Sequence, residues 1–382
     1  MSPHPSAVPL LAPKNLPELV RTAFNRARAS GDVNFYPTQA AVLDLNSVPF
    51  QLRFAPSLAN KPKGPPPRPP QHNAPPSPAR PFDPFDNPPT PLLVTGLGAS
   101  HILVLNKFAV VPEHAIVATR AFARQTHLLA PADLAAVYAC IDAYDSEGGQ
   151  LFAFFNSGTH SGASQAHRHI QLLPVERMRD GLPDTHTSSS SSSSSSGGGD
   201  GETGDTDAAV EWADVLASSL LDETTRARLP FQTFAHRIRN SGSPAPDADA
   251  LHAAYLALYN QACAAVSAHD HHDIDGIIPE EGEARISYNL AMTRDVMVVV
   301  PRLAEGGEIT VPSSPASAGG GGGATPRKTV GKLALNGTVL AGTALVKSAA
   351  EWHALRQDPG QVLDILRRIG VPWGEDGPSS SL

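Results

Sequence analysis

The chain has 382 residues, enough for one large domain or two, and a formal net charge of −8. That acidic balance argues against general nucleic-acid binding, which needs a basic face, although a few local Lys and Arg suffice for a nucleotide. The 2 cysteines give no disulfide framework, no apolar run is long enough to span a membrane, and Met1 to Ala12 lacks the basic and apolar regions of a secretory signal. These features predict an enzyme of a reducing compartment, the cytoplasm, with the nucleus left open.

Leu16, Leu19, Val20, Ala23, Phe24 and Ala27 recur at helical spacing and predict a helix over Asn15 to Ser30. Gly64 to Asn87 follows as a Pro-rich insertion (Pro65-Pro66-Pro67-Arg68-Pro69-Pro70), expected to be extended and solvated. Strands are predicted at Leu92 to Thr95, Ile102 to Phe108 and His114 to Thr119, the last two parted by a turn at Pro112. Pro131-Ala132-Asp133 opens a helix through Tyr144. Leu151 to Phe155 and His167 to Pro174 read as strands joined by a Gly/Ser loop. After Ser188 to Gly204, a Ser, Gly and acidic tract with no core-forming content, come a strand at Phe231 to Ile238 and a helix at Ala248 to Ala268. Ile286 to Met292 and Val296 to Pro301 read as a hairpin around Thr293-Arg294-Asp295. Ser313 to Pro326 is a third low-complexity insertion. A strand from Leu333 to Leu340 and a helix from Ser348 to Ile369 close the chain. Strand pairs with intervening helices suit an α+β fold, mainly an antiparallel sheet packed by helices. One domain is expected, its core over about 16–373, with disordered insertions at 64–87, 188–204 and 313–326.

The chemistry concentrates in Asn156-Ser157-Gly158-Thr159-His160-Ser161-Gly162-Ala163-Ser164-Gln165-Ala166-His167-Arg168-His169-Ile170-Gln171. In an extended strand His167, His169 and Gln171 share one face, with Ala166, Arg168 and Ile170 on the other. Three aligned polar residues in a core strand would each need a partner. A metal reading lacks further ligands at metal spacing, since Cys140 and Cys263 stand far apart. The third reading is a nucleophilic histidine beside a loop whose N–H groups hold phosphate oxygens. Elsewhere, His269, Asp270, His271, His272, Asp273 and Asp275 cluster after a helix and read as a solvated loop. His160 touches phosphate or faces solvent, and Trp212, Trp352 and Trp373 read as packing residues.

His167-x-His169-x-Gln171 resembles the signature of the histidine-triad-like superfamily in its nucleotidyltransferase branch. The longer string Phe155-Asn156-Ser157-Gly158, Ser161-Gly162-Ala163-Ser164 and the His motif resembles the fungal-type ATP adenylyltransferases, or diadenosine tetraphosphate phosphorylases. Similar segments are Ala55 to Pro62 ending in Lys61-Pro62, Leu105-Asn106-Lys107-Phe108 through His114, Ser287-Tyr288-Asn289 through Arg294, and Leu335-Asn336-Gly337 with Leu340-Ala341-Gly342-Thr343.

The resemblance implies a histidine-triad-like fold and phosphorolysis of diadenosine tetraphosphate by phosphate to ATP and ADP, and the reverse. It makes His169 the nucleophile, its proton held by a backbone carbonyl near His167, with His167 shaping the site and Gln171 donating to a phosphate oxygen. Ser161, Gly162, Ala163, Ser164 and Gln165 would line the polyphosphate, and Asn156 would fix a ribose or phosphate oxygen. Lys61, Asn106 and Lys107 occupy polyphosphate-binding positions. Asn289 would meet the second nucleotide end, and Arg294 stands where the family commonly has Lys. No tightly bound cofactor is implied; Mg²⁺ or another divalent cation would accompany the nucleotide. Expected partners are diadenosine tetraphosphate, ATP, ADP and phosphate, with no nucleic acid or membrane; the oligomeric state is open. Neighbouring readings are a dinucleoside polyphosphate hydrolase, a hexose-1-phosphate uridylyltransferase, or a nucleotide-binding scaffold without catalysis.

Overall fold

The computed structural model describes residues 12–60, 82–182, 221, 223–270, 280–313 and 326–373. Lys61, Trp212, His271, His272, Asp273 and Asp275 lie outside these residues, as do Ser188 to Gly204, most of Gly64 to Asn87 and residues 314–325.

Helix α1 spans Leu16–Ser30 and buries Leu16, Val20, Ala23, Phe24 and Ala27, the expected apolar stripe. The strands are β1 (Asn34–Phe35), β2 (Gln39–Leu45), β3 (Val48–Phe54), β4 (Leu93–Leu97), β5 (His101–Leu105), β6 (Phe108–Ala109), β7 (Ala115–Thr119), β8 (Leu151–Ser157), β9 (His169–Pro174), β10 (Phe234–Arg237), β11 (Tyr288–Met292), β12 (Val296–Pro301), β13 (Gly306–Pro312), β14 (Arg327–Ala334) and β15 (Thr343–Val346). Helix α2 is Pro131–Ser146. The main sheet has 8 strands in the order β10-β12-β11-β8-β9-β7-β5-β4. Every pairing in it is antiparallel, and both halves of the chain contribute strands. The fold is thus the expected α+β arrangement of a mainly antiparallel sheet and packed helices.

Alternation along the strands sorts two cores. Ala153, Phe155, Ile170, Leu172, Leu290 and Met292 face one side, where α1, α2 and the Ala248–Asp270 helix pack. Phe152, Phe154, Leu173, Ala291, Val298 and Val300 face the other. That side is covered by the small sheet β15-β3-β2 and by the helices Ala349–Gln357 and Gly360–Ile369. His169 and Gln171 share their face with Leu173, so the His-x-His-x-Gln motif opens on the side away from α1 and α2.

Three sequence expectations change. The helix expected over Ser348 to Ile369 is two helices, because Pro359 has no N–H to donate and Asp358 leaves helical geometry (φ −135, ψ 76). The strand expected to Leu340 stops at Ala334. Asn336 then caps a tight turn of helix, Gly337–Ala341, by accepting from the Thr338 N–H. The strand expected from His167 begins at His169, with His167 making an isolated bridge to Arg124. The β2–β3 hairpin is an unanticipated element; its turn residues Asn46 and Ser47 adopt positive φ (54 and 59), as a two-residue hairpin turn requires.

Candidate active site

Strand β9 is held between β7, through Ala118↔His169, and β8, through Phe154↔Gln171. The β8–β9 ladder stops there. Beyond it the strands part, and the side chain of Gln125 stands in for the missing rungs. Gln125 Oε1 accepts from the His169 N–H (2.8 Å), and Nε2 donates to the carbonyls of Asn156 (2.8 Å) and His169 (3.2 Å). A buried amide thus fixes the backbone of His169 where the sheet no longer does.

His169 Nδ1 lies 2.8 Å from the His167 carbonyl oxygen, which can only accept, so the ring carries its proton there. Nε2 has no hydrogen-bond partner among the described residues. Burial pushes the His169 pKa down to about 4; the bond to His167 O and the charge of Asp83 oppose that shift, and the charge of His167 adds to it. The imidazole is therefore neutral at pH 7 with a free lone pair, the state a nucleophile needs. The two nitrogens of His167 are both engaged: Nδ1 with Asp83 Oδ2 (2.7 Å), Nε2 with the Thr119 carbonyl (2.8 Å) and hydroxyl (2.9 Å). Phe85 packs on both rings, with centroids 5.6 Å from His167 and 5.1 Å from His169.

Gln171 Oε1 meets His114 Nε2 at 2.6 Å, and His114 Nδ1 meets Asn106 Nδ2 at 3.1 Å. The loop after β8 turns on Gly158 (φ 89) and Gly162 (φ 79). A Cβ on Gly162 would stand 2.7 Å from Asn336 Cβ and 2.8 Å from Leu335 O, so the loop needs glycine to lie against the Leu335-Asn336 segment. Asn156 Oδ1 accepts from Gly337 N (2.8 Å) and Asn289 Nδ2 (2.9 Å), and Asn289 Nδ2 also donates to Ser161 O (2.9 Å). Arg302 donates to Asn289 Oδ1 and to the carbonyls of Ala304, Glu305 and Leu335. This buried guanidinium braces the loop from behind.

Comparison with known proteins bears on this arrangement. Residues 6–185 match the family described as Ap4A phosphorylase N-terminal domain, and residues 227–372 the one described as ATP adenylyltransferase C-terminal domain. The chain belongs to the Ap4A phosphorylase/ATP adenylyltransferase family. Diadenosine 5',5'''-P1,P4-tetraphosphate phosphorylase 2 of Saccharomyces cerevisiae is 32% identical over 174 residues, 42% of this chain and 50% of that protein, so this match spans half of the relative's length. Protein APA1 of the same yeast is 24% identical over 94% of this chain and 95% of that one. Crystal structures of yeast Ap4A phosphorylase Apa2, alone and in complex with AMP, share the fold with TM-score 0.63 and 23% identity, covering 95% and 96% of this chain and 99% of theirs. A third, in complex with Ap4A, gives 0.62 over 95% of this chain and 99% of its own.

Within this Ap4A phosphorylase-type chain, the expected residues separate. His169, His167, Gln171 and Asn156 come together. Ser164 and Gln165 are exposed on the loop with no side-chain hydrogen bond among the described residues, and Ala163 beside them is exposed too. Ser161 and Asn289 are fully used by the protein. Ser161 Oγ donates to Gly158 O (2.7 Å), and Asn289 is 0% exposed, so both brace the loop rather than offer a side chain to a ligand. Asn106 likewise holds His114 and the Phe108 N–H. Lys107 is exposed next to that group, its Nζ 6.0 Å from the Phe108 ring centroid. Arg294 is not brought to the site. It lies in the β11–β12 turn, on Asp145 of α2 (2.9 Å), at the opposite end of β11 from Asn289. Its position next to a strand motif hid the fact that the motif and the turn face different ends of the sheet. His160 is exposed, its N–H on Ser287 Oγ, and His269 pairs with Asp270 (2.8 Å). Trp352 stacks on Phe54 and Trp373 donates to Leu229 O, in keeping with packing roles.

Asp83, Gln125 and Arg302 carry support that no sequence motif marked, and His114, which closes the Asn106-to-His114 segment, had no role assigned from sequence. Each reaches the motif from a different strand or loop.

Proposed function

We propose that this protein transfers an adenylyl group through His169, cleaving diadenosine tetraphosphate with phosphate to ATP and ADP, and running in reverse. The observation that carries the reading is the His169 ring, proton on Nδ1 toward His167 O and Nε2 without a partner among the described residues. Nε2 attacks the α-phosphorus at one end of the substrate. The P–N bond forms, the P–O bond to the remaining chain breaks, and ATP leaves with the electron pair. An oxygen of inorganic phosphate then attacks the same phosphorus, the P–N bond breaks, and ADP leaves with neutral His169 restored. The Gln171 amide and the exposed N–H groups around Ser164 and Gln165 meet the charge that develops on the phosphate oxygens. Ap4A and AMP in the Apa2 complexes support nucleotides as the ligands here. A divalent cation such as Mg²⁺ accompanies the polyphosphate rather than being a resident group. No nucleic acid is a substrate, and the expected location is cytoplasmic.

A dinucleoside polyphosphate hydrolase would differ only in water replacing phosphate as the acceptor, and one assay separates the two. Diadenosine tetraphosphate is incubated with and without phosphate. The expected result is ATP plus ADP, and only with phosphate; AMP plus ATP formed without it assigns hydrolysis instead.

A further inference from the structure

We infer that His114 is a positioning residue which, oriented by Asn106, fixes which end of the Gln171 amide faces the reacting phosphate. The inference rests on the adenylyl-transfer reading and deepens it. Its starting point is a backbone N–H, whose direction is not open to choice. Phe108 N donates to Asn106 Oδ1 (3.0 Å), which turns Asn106 Nδ2 toward His114 Nδ1 (3.1 Å). Nδ1 must then accept, and a neutral ring that accepts at Nδ1 carries its proton on Nε2. Nε2 lies 2.6 Å from Gln171 Oε1 and donates to it. Gln171 Nε2 is left pointing outward, without a partner among the described residues. The amide thus offers hydrogens, not an oxygen lone pair, to a phosphate oxygen.

Two features hold this order in place. Burial lowers the His114 pKa to about 4, against the bond to Gln171 and together with the charge of His169, so the ring stays neutral and keeps its acceptor. Glu113, directly before it, adopts a left-handed backbone (φ 61), unfavourable for a residue other than glycine, and its carboxylate is tied to Arg177 (3.0 Å) and Arg21 (3.6 Å). The turn that aims His114 is therefore clamped.

The test is the isosteric substitution Asn106→Asp, set against Asn106→Ala. With a carboxylate at that position, both the Phe108 N–H and His114 Nδ1 donate to it. The ring proton moves to Nδ1, Nε2 becomes an acceptor, and Gln171 rotates to present its oxygen to the phosphate. Single-turnover formation of the adenylyl-enzyme, measured at saturating substrate and alkaline pH, should fall about 10²-fold or more in Asn106→Asp, the cost of losing one donor to a developing oxyanion. Asn106→Ala frees the ring to take either tautomer and should lose less. A purely structural role gives the opposite order, since alanine leaves a cavity that the isostere does not; that order would overturn the inference. Histidine ¹⁵N shifts read the relay without activity: Nδ1 unprotonated and Nε2 protonated in wild type, reversed in Asn106→Asp. The reversed tautomer in wild type also overturns it. A wild type with this tautomer but no adenylyl-enzyme would instead count against the transfer reading.

Discussion

Arg168 and His169 are adjacent in the chain and serve opposite faces of the same sheet. Arg168 reaches the helix-covered face, where its NH1 and His101 Nε2 both pair with Asp133 (2.7 and 2.8 Å) and the Ala130 N–H completes the carboxylate (2.7 Å). Those bonds hold Asp133 below the usual carboxylate range despite its burial, which alone would raise it. His169 faces the other way. Its Nδ1 is committed and its Nε2 is not; Gln171 is committed at its oxygen and not at its nitrogen. Both clusters are buried and polar, and they meet at the start of β9: Arg168 just before it joins Asp133 of α2 and His101 of β5, while His169 is its first residue. The difference lies in closure. Around Asp133 both carboxylate oxygens are taken by the protein, and only Arg168 Nε, buried behind the pair, lacks a partner among the described residues; around His169 the unpartnered ends are His169 Nε2 and the Gln171 amide nitrogen, the two the proposed transfer uses. Burial and polarity alone do not identify a site, and neither does a single free end, since Arg168 Nε and Arg302 Nε also lack partners among the described residues; what sets the His169 face apart is two oriented groups, an imidazole lone pair and an amide donor, left free on the same face of one strand.

The largest effects should come from swapping the two faces. His169→Ala is expected to abolish adenylyl transfer while leaving the thermal midpoint near wild type. Labelled substrate should give an acid-labile, base-stable adduct in wild type and none in the variant. Asp133→Ala is expected to act the other way. It strands a buried guanidinium and costs about 3–5 kcal/mol of stability, yet the fraction that stays folded should still form the adduct. An adduct that survives His169→Ala and vanishes in His167→Ala would move the nucleophile to His167.

Next come the residues that aim His169, the proposed nucleophile. His167→Ala should slow transfer about 10²-fold without abolishing it, the scale expected when a reacting group is displaced but present. Gln125→Ala should do both things at once. It leaves the His169 N–H and the Asn156 carbonyl without their partner, at a cost of about 1–3 kcal/mol, and slows the first turnover, read by chemical denaturation and quenched-flow in parallel. These two variants also mark where the sequence stops being legible. The motif strand, the Gly/Ser loop and the α1 stripe follow from local periodicity, because strand alternation and helix spacing are set by residues near one another in the chain. Gln125 meets His169 across 44 positions, and Asp83 meets His167 across 84. Arg302 reaches the loop through Asn289. Such partners are chosen by how strands order in the sheet, which no window of sequence contains. For the same reason Asn289 and Ser161 are visible as motif residues, while their use as braces is visible only in three dimensions.

A change of pH should separate the faces as well. His169 and His114 both have folded pKa values lowered to about 4, chiefly by burial. Above the unfolded value of about 6.5 both states are neutral and neither group affects stability. As pH falls from there toward 4, the unfolded chain takes up protons that the folded chain refuses, so stability drops, by up to a few kcal/mol for the pair, and levels off below the folded value. Thermal midpoints measured across that window should fall less steeply in His169→Ala than in wild type. The rate of adenylyl-enzyme formation should hold down to well below pH 6 in wild type, since the nucleophile stays neutral there. An acid limb centred near 6.5 would mean that His169 is far more solvated than its surroundings imply.

The smallest expected effect is at Arg294, and it probes the limits of reading a site from a motif. Arg294 stands five positions beyond Asn289, but β11 carries it to the far end of the sheet, where it pairs with Asp145 on a half-exposed surface. Arg294→Gln should therefore remove only a partly exposed ion pair, at about 0–1 kcal/mol, and leave kcat and KM for diadenosine tetraphosphate unchanged. Lys107→Gln is the matched control. Lys107 is exposed and follows Asn106, whose amide holds His114 and through it Gln171, and losing its charge should raise KM while sparing the fold. A marked rise in KM for Arg294→Gln with none for Lys107→Gln would show that polyphosphate is gripped from the turn end of the sheet. The free Nε2 of His169 would then no longer mark where the substrate lies, and closure would lose its force as the criterion that separates the two faces.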